Sequence, residues 1–432
     1  MGGPDTTEVG LYCAAAKTGD SWTAAWAGAL AQIIDAGHLA TGEQLSTVVD
    51  DAVLAVGLTA EVLLVDLAQR VFTPVRTEPA AQVDVVGTMA GRAYQLGEIL
   101  AGTDERGRRQ LWVPMLDGAD RAGVLRIGLD PGTGGGAEDR PELRRWVWTL
   151  AGLVGHIVMT KIAYSDRLRR WRSNGPLSLP SELLWQMIPP RTFATERVVV
   201  SALLEPHDEV AGDAYDYNVE GDMIDLAVFD AAGHDIRAGV TTALAITAIR
   251  NARRAGEEDL VAIAASADAF IAAQPRPLQF ATAVLARLDT ATGTLDYLLA
   301  GHPAPLVVRQ GKVVKELGAT PRPPLGVAVS GGPPVTVSRE QLEPGDRLLL
   351  YSDGITEARD ADGEFFGEDR LVELTERAAA AELSAPETLR RLGAAVLEHQ
   401  AGQLQDDATL LLVDWSADGH LRMFPTLPGA AP

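Results

Sequence analysis

Apolar residues recur every three to four positions over residues 22–36 and 42–56, the spacing that lines one face of an α-helix. Ser21 stands where the first helix needs an N-cap, and Leu45, Val48, Val49, Ala52 and Val53 form the stripe of the second. The period then shortens. Residues 60–66 and 71–75 read as strands on either side of a polar break at Gln69 and Arg70. Residues 83–96 read as a helix, and 111–116 and 123–129 as strands joined by a turn at 117–121. A Gly-rich loop at 132–137 precedes a long helix expected to run from Pro141 to Arg172. This order predicts an antiparallel sheet with helices at one side.

Asn174-Gly175-Pro176 ends the long helix. A short helix is predicted over 180–187, with Ser178 or Ser181 as its cap and Pro189-Pro190 as its stop. Its Leu183, Leu184, Met187 and Ile188 are read as packing residues, and the helix as an element whose docking regulates the next domain. Strands are then expected at 197–204, 215–219, 223–229, 280–288, 294–299, 306–309, 313–317, 346–351 and 409–415. Helices are expected at 238–255, 260–273, 368–381 and 385–400. Many antiparallel strands with interspersed helices predict a two-sheet sandwich flanked by helices.

A chain of 432 residues is expected to hold two or three domains. Its net charge of -22 disfavours nucleic acid and anionic membrane as partners, since both require a positive surface. Positive charge gathers at Lys161, Arg167, Arg169, Arg170 and Arg172, the mark of a linker helix between acidic blocks. Cys13 is the one cysteine, so an intrachain disulfide is impossible and a reducing cytoplasm is the expected compartment. The N-terminus has no basic region followed by an apolar run and is not read as a secretory signal. The apolar stretch 146–160 is short for a membrane span and is bounded by Arg144, Arg145 and Lys161, so a buried helix is expected.

Four pieces put aspartates beside Gly-containing turns or strand ends: Val210-Ala211-Gly212-Asp213, Phe229-Asp230-Ala231-Ala232-Gly233-His234, Tyr351-Ser352-Asp353-Gly354 and Asp406-Asp407-Ala408-Thr409. Each alone is weak, because Asp-Gly is usually a turn. Together they predict carboxylates that converge to hold hard divalent cations, which prefer oxygen ligands. Two such ions can clamp both oxygens of a phosphoryl displacement.

Residues 181–415 resemble the SpoIIE-type branch of the PPM (protein phosphatase 2C-like) serine/threonine phosphatases. The resemblance is carried by Leu184-Trp-Gln-Met-Ile-Pro-Pro190, Val210-Ala-Gly-Asp-Ala-Tyr-Asp216, Asp230-Ala-Ala-Gly-His234, Ala281-Thr282, Ala300-Gly-His-Pro-Ala-Pro-Leu306, Pro324-Leu-Gly326, Tyr351-Ser-Asp-Gly-Ile-Thr-Glu-Ala358, Phe366-Gly367 and Asp406-Asp407. It implies two Mn2+ or Mg2+ ions and hydrolysis by metal-activated water. Asp230 would bridge the ions and Ala231 would offer its carbonyl. Asp213 would serve one ion, and Asp353 and Asp406 the other. Asp407 is expected to order its turn, His234 and His302 to be hydrogen-bonded turn residues, and Thr282, Glu357 and Tyr215 to support the ligands or pack. The family usually has Gly at Ala211, Trp at Ala214 and Gly at Asp235. Asp235 therefore brings an extra carboxylate near the centre, to recruit a cation, reshape the loop or lower activity.

The order of elements over residues 41–160 resembles a GAF domain, acting either as a small-molecule sensor or as a dimerisation scaffold. The expected class is α+β: a tail and helix at 1–40, a GAF-like antiparallel sheet with helices at 41–160 and a helical linker with a regulatory helix at 161–190. A PPM-type αββα sandwich at 191–416 and a tail at 417–432 complete it. The implied role is a homodimeric phosphatase in bacterial partner switching, acting on a phosphorylated protein such as an anti-sigma-factor antagonist. The competing reading is a non-catalytic binding protein that docks a partner. A nuclease or cyclic-nucleotide phosphodiesterase would lack the His-rich ligands common at such sites.

Overall fold

The computed structural model describes residues 19–425 apart from 77–80, 105, 130–139, 174–177, 206–211, 234, 275–278, 321 and 328–333. Cys13, the Gly-rich loop, the Asn174-Gly175-Pro176 break, Val210, Ala211 and His234 lie outside the described residues. The architecture is α+β, and the chain divides into two compact units: Met1–Pro176 with Met423–Pro432, and Leu177–Arg422.

The first unit holds α1 (Gly19–Leu39), α2 (Leu45–Leu54), β1 (Leu58–Val65), β2 (Val71–Pro74), β3 (Val83–Asp84), α3 (Met89–Leu96), β4 (Leu100–Thr103), β5 (Arg109–Asp117), β6 (Asp120–Leu129), α4 (Pro141–Ile162) and α5 (Asp166–Ser173). Its six strands form one antiparallel sheet in the order β3-β2-β1-β6-β5-β4. On one face, Trp26, Ile33, Val49, Val53, Val147, Leu150 and Val154 build the larger core, and the Trp26 and Trp146 rings stack at 5.7 Å. On the other, α3 packs Ala90, Ala93 and Tyr94 onto Leu63, Val65 and Phe72.

Two helices differ from their sequence pattern. The 83–96 segment begins as a strand and becomes helical at Met89, because Thr88 caps it, its hydroxyl accepting from Gly91 N at 3.0 Å. The 141–172 helix breaks after Ile162 and bends by 106° into α5, where Ser165 Oγ accepts from Leu168 N. No single helix among the described residues is long and apolar enough to cross a membrane.

The second unit is a four-layer sandwich. One sheet has the order β15-β12-β11-β10-β9: Ser338–Gln341, Thr294–Ala300, Ala281–Asp289, Met223–Ala231 and Asp213–Glu220. The other has the order β14-β13-β16-β17-β8-β7: Lys312–Glu316, Leu306–Arg309, Arg347–Tyr351, Ala408–Asp414, Val199–Glu205 and Thr192–Ala194. Helices α6 (Leu179–Met187), α7 (Ile236–Arg254) and α8 (Leu260–Ala272) cover the first sheet through Leu184, Ala245, Ile249, Ile263 and Ile271. Helix α9 (Asp353–Thr356) follows β16, and α10 (Glu368–Ala380) and α11 (Ala385–His399) precede β17.

Strand alternation sorts the two faces. In β10, Ile224, Leu226 and Val228 enter the core between the sheets, whereas Ala227 and Phe229 face the helices. Val284, Ala286 and Leu288 of β11, Leu348 and Leu350 of β16, and Leu411 and Val413 of β17 fill the same inter-sheet layer. Strand β9 is tied to α7 by Asp216, which is fully buried and paired with Arg250 at 2.7 Å and Arg253 at 2.6 Å.

Candidate metal centre

Followed two residues further along each strand, the inter-sheet face turns from apolar to polar. After Val228 comes Asp230; before Val284 comes Thr282; before Tyr215 comes Asp213. From the opposite sheet, Leu350 is followed on that face by Ser352, and Leu411 is preceded by Thr409. Register brings the first three together: Asp230 pairs with Asp213 across β9–β10 and with Thr282 across β10–β11. Asp213 and Asp230 are within their strands, the first and the next-to-last residue, rather than beyond the strand ends. Asp353 opens α9, and Asp406 lies two residues before β17.

Two glycines permit the approach. A Cβ on Gly354 would sit 1.9 Å from the Asp407 carbonyl oxygen, and one on Gly212 would meet the Ala231 and Gly233 carbonyl oxygens at 2.9 and 3.0 Å. Neither position has a positive φ, so close packing of backbone, not a left-handed turn, demands glycine there. Asp407 fastens the same junction: its Oδ2 accepts from Gly212 N at 2.5 Å.

The carboxylates perturb one another. Burial raises Asp213 well above the ordinary range, and the charges of Asp230 and Asp407 add to this, while the Ser352 and Thr409 hydroxyls oppose it. Asp230 is pushed up to about 7 by burial and by Asp353, Asp406 and Asp407, with Thr282 pulling the other way. Asp353 is raised by burial, Glu357 and Asp406. His302 is buried and lowered to about 4, so its ring is neutral.

These features fit a divalent cation. Oδ2 of Asp213 is buried with no hydrogen-bond partner of good geometry among the described residues, and a cation would satisfy it while offsetting the mutual repulsion. The donors are all oxygen, as Mg2+ and Mn2+ require. Among the described residues, no three His, Cys, Asp or Glu side chains already stand round one point closely enough to chelate an ion.

Asp235 serves the start of α7. Its carboxylate caps α7, accepting from Arg237 N at 2.9 Å and Ala238 N at 3.3 Å, and pairs with the Arg237 guanidinium. Ser352 and Thr409 stand inside two of the four aspartate motifs, and each follows its strand's period-two pattern onto the inner face.

Residues 220–416 match the family model described as Stage II sporulation protein E (SpoIIE), a segment that includes Asp230, Asp353 and Asp406 but begins after Asp213. Protein IcfG of Synechocystis sp. (strain ATCC 27184 / PCC 6803 / Kazusa) is 24% identical over 266 residues, 55% of this chain and 39% of its own length. Phosphoserine phosphatase RsbU of Bacillus subtilis (strain 168) is 25% identical over 222 residues, 50% of this chain and 63% of its own. The chain thus spans less than two thirds of either relative. The solved RsbU and RsbW domains of Rv1364c from Mycobacterium tuberculosis share 27% identity at a TM-score of 0.44, covering 51% of this chain and 60% of that one. The sandwich of antiparallel sheets that contains residues 220–416 is thus similar to the SpoIIE-type PPM phosphatase domains, over a match that spans less than half of the chain.

Proposed function

We propose that the chain is a divalent-metal-dependent protein serine/threonine phosphatase. What supports this reading is that Asp213 faces Asp230 in the β9–β10 ladder and that the charges of Asp353 and Asp406 act on Asp230, with Asp213, Asp230 and Asp353 each raised by burial and by neighbouring carboxylates. Asp213, Asp230, Asp353 and Asp406 would hold two Mn2+ or Mg2+ ions, with the Ala231 carbonyl as a further oxygen. When bound, the ions lower the pKa of water and neutralise phosphoryl oxygens. Asp407 fixes the backbone that presents Asp213, and Ser352 and Thr409 line the wall behind it.

The substrate proposed is a phosphoserine or phosphothreonine protein. RsbU is named a phosphoserine phosphatase, and an anti-sigma-factor antagonist in a partner-switching circuit is the partner class we assign. Regulation is assigned to the N-terminal unit as a GAF-like sensor or dimerisation module in a cytoplasmic homodimer. Helix α6 is the element through which it would act. The two prolines after α6 accept hydrogen bonds from Tyr215 and Tyr217 of β9, at 3.0 and 2.7 Å, and β9 is the strand that opens with Asp213.

Hydrolysis of a phosphopeptide is measured with Mn2+ for the full chain, Asp230→Asn and Asp353→Asn. Activity in the wild type that falls at least 100-fold in both variants is the expected result. Full activity in both variants, or activity in the wild type untouched by EDTA, contradicts the metal centre. A chain that binds divalent ions but cleaves no phosphopeptide returns the reading to a docking module.

A further inference from the structure

Thr282 stands opposite Asp230 in the β10–β11 ladder, and its hydroxyl donates to Asp230 Oδ2 at 3.4 Å. The same hydroxyl lies 2.6 Å from Nδ1 of His302. His302 is buried just past β12, in the Ala300-Gly301-His302 turn. Its ring faces the Tyr351 backbone, yet Nε2 makes no hydrogen bond of good geometry among the described residues.

A neutral imidazole has one N–H, and its location sets the polarity of this chain of groups. With the proton on Nε2, Nδ1 is an acceptor and takes the Thr282 hydrogen. Asp230 then faces only oxygen lone pairs. With the proton on Nδ1, His302 donates to Thr282 and the Thr282 hydrogen is left for Asp230. The first arrangement lets a ring N–H turn towards the Tyr351 backbone; only the second gives a charged Asp230 a hydrogen bond, the one the Thr282 hydroxyl makes to its Oδ2.

We infer that His302 and Thr282 are positioning residues, a two-bond relay from His302 Nδ1–H through the Thr282 hydroxyl that holds the Asp230 carboxylate in the orientation a cation needs. This rests on the metal-centre reading. A carboxylate ligand that is itself hydrogen-bonded loses less freedom on binding, and removing such support typically costs 10- to 100-fold in metal affinity. A packing role for His302 predicts no such loss, because a ring of similar shape would serve.

The test is calorimetric titration of the metal-free full chain with MnCl2, beside urea unfolding in EDTA to establish that each variant is folded. Thr282→Val, which keeps the shape and removes the hydroxyl, is expected to raise Kd about 10- to 100-fold. Thr282→Ser is expected to stay within about threefold of wild type, since the donor is retained. His302→Phe is expected to weaken Mn2+ as Thr282→Val does, and His302→Asn, whose amide N–H can stand in for Nδ1–H, to recover part of the loss. The double variant Thr282→Val with His302→Phe should lose no more than Thr282→Val alone. If wild type binds Mn2+ and Thr282→Val and His302→Phe bind it equally well, the relay is wrong and the centre stands. If wild type binds no divalent ion, the centre itself is wrong. Should the variants fail to fold, 15N spectra of wild-type His302 decide: protonated Nδ1 supports the relay and protonated Nε2 overturns it.

Discussion

Asp230→Asn should make the metal-free protein more stable while removing its response to metal. Asp230 is raised from 3.8 to about 7 by burial and by the carboxylates round it. A raised carboxyl means that the folded state keeps a proton the unfolded chain has already lost. Stability therefore falls as pH climbs from about 4 towards 7, and the full penalty applies above 7. At about 1.4 kcal/mol for each tenfold change in proton affinity, the charged form costs the folded state about 4 kcal/mol at pH 8 and about 1 kcal/mol at pH 4.5. Asparagine has nearly the same shape, can still accept from Thr282, and carries no charge. The variant should thus gain up to about 4 kcal/mol in EDTA at pH 8, and most of that gain should vanish at pH 4.5.

Urea unfolding at the two pH values, in EDTA and then in Mn2+, measures both effects. Wild type should be stabilised by about 2.7 kcal/mol when free Mn2+ is 100 times its Kd, and the variant by far less. The reasoning is refuted if Asp230→Asn is no more stable than wild type in EDTA at pH 8, or if its gain is the same at both pH values. Ordinary loss of a packing or hydrogen-bonding residue gives a destabilised variant at every pH, so the sign alone separates the two accounts.

Gly354→Ala forces a Cβ to 1.9 Å from the Asp407 carbonyl oxygen, and urea unfolding should show a loss of about 3 kcal/mol or more together with weaker Mn2+ binding. Asp216→Ala leaves Arg250 and Arg253 without their buried partner and should cost about 3–5 kcal/mol, again read by urea unfolding. Asp235→Ala should lower the thermal midpoint slightly through loss of the α7 cap and leave Mn2+ affinity unchanged by calorimetry; a large fall in affinity would return Asp235 to the centre.

Much of the sandwich is legible in the sequence because half-buried strands declare themselves by alternation. The apolar residues of β10 run Ile224, Leu226, Val228, so Asp230 is placed on the inner face by counting alone. Counting along one strand does not say which strand lies beside it or at what offset. That Asp213 and Thr282 flank Asp230 is a property of register, fixed by residues spread over β9, β10 and β11. Ser352 and Thr409 stand inside the aspartate motifs, but the role of their hydroxyls is hidden for this reason: a hydroxyl at a strand end is ordinary until an opposite sheet delivers a carboxylate to it. Of the roles open to Asp235, reshaping of the loop has a local reason. The apolar pattern predicts a helix from Ala238, but an N-cap precedes that pattern, and Asp235 with its carboxylate on the amides of Arg237 and Ala238 is the stop signal of the loop and the start of the helix. The bend between α4 and α5 has the same origin, since Ser165 offers a new cap within a run of good helix formers. An extra carboxylate near a metal loop is therefore weighed first against the amides it can cap. Asp235 has two such amides and Arg237, whereas Oδ2 of Asp213 has no hydrogen-bond partner of good geometry among the described residues. That difference, not proximity in sequence, separates the capping aspartate from the one left for a cation.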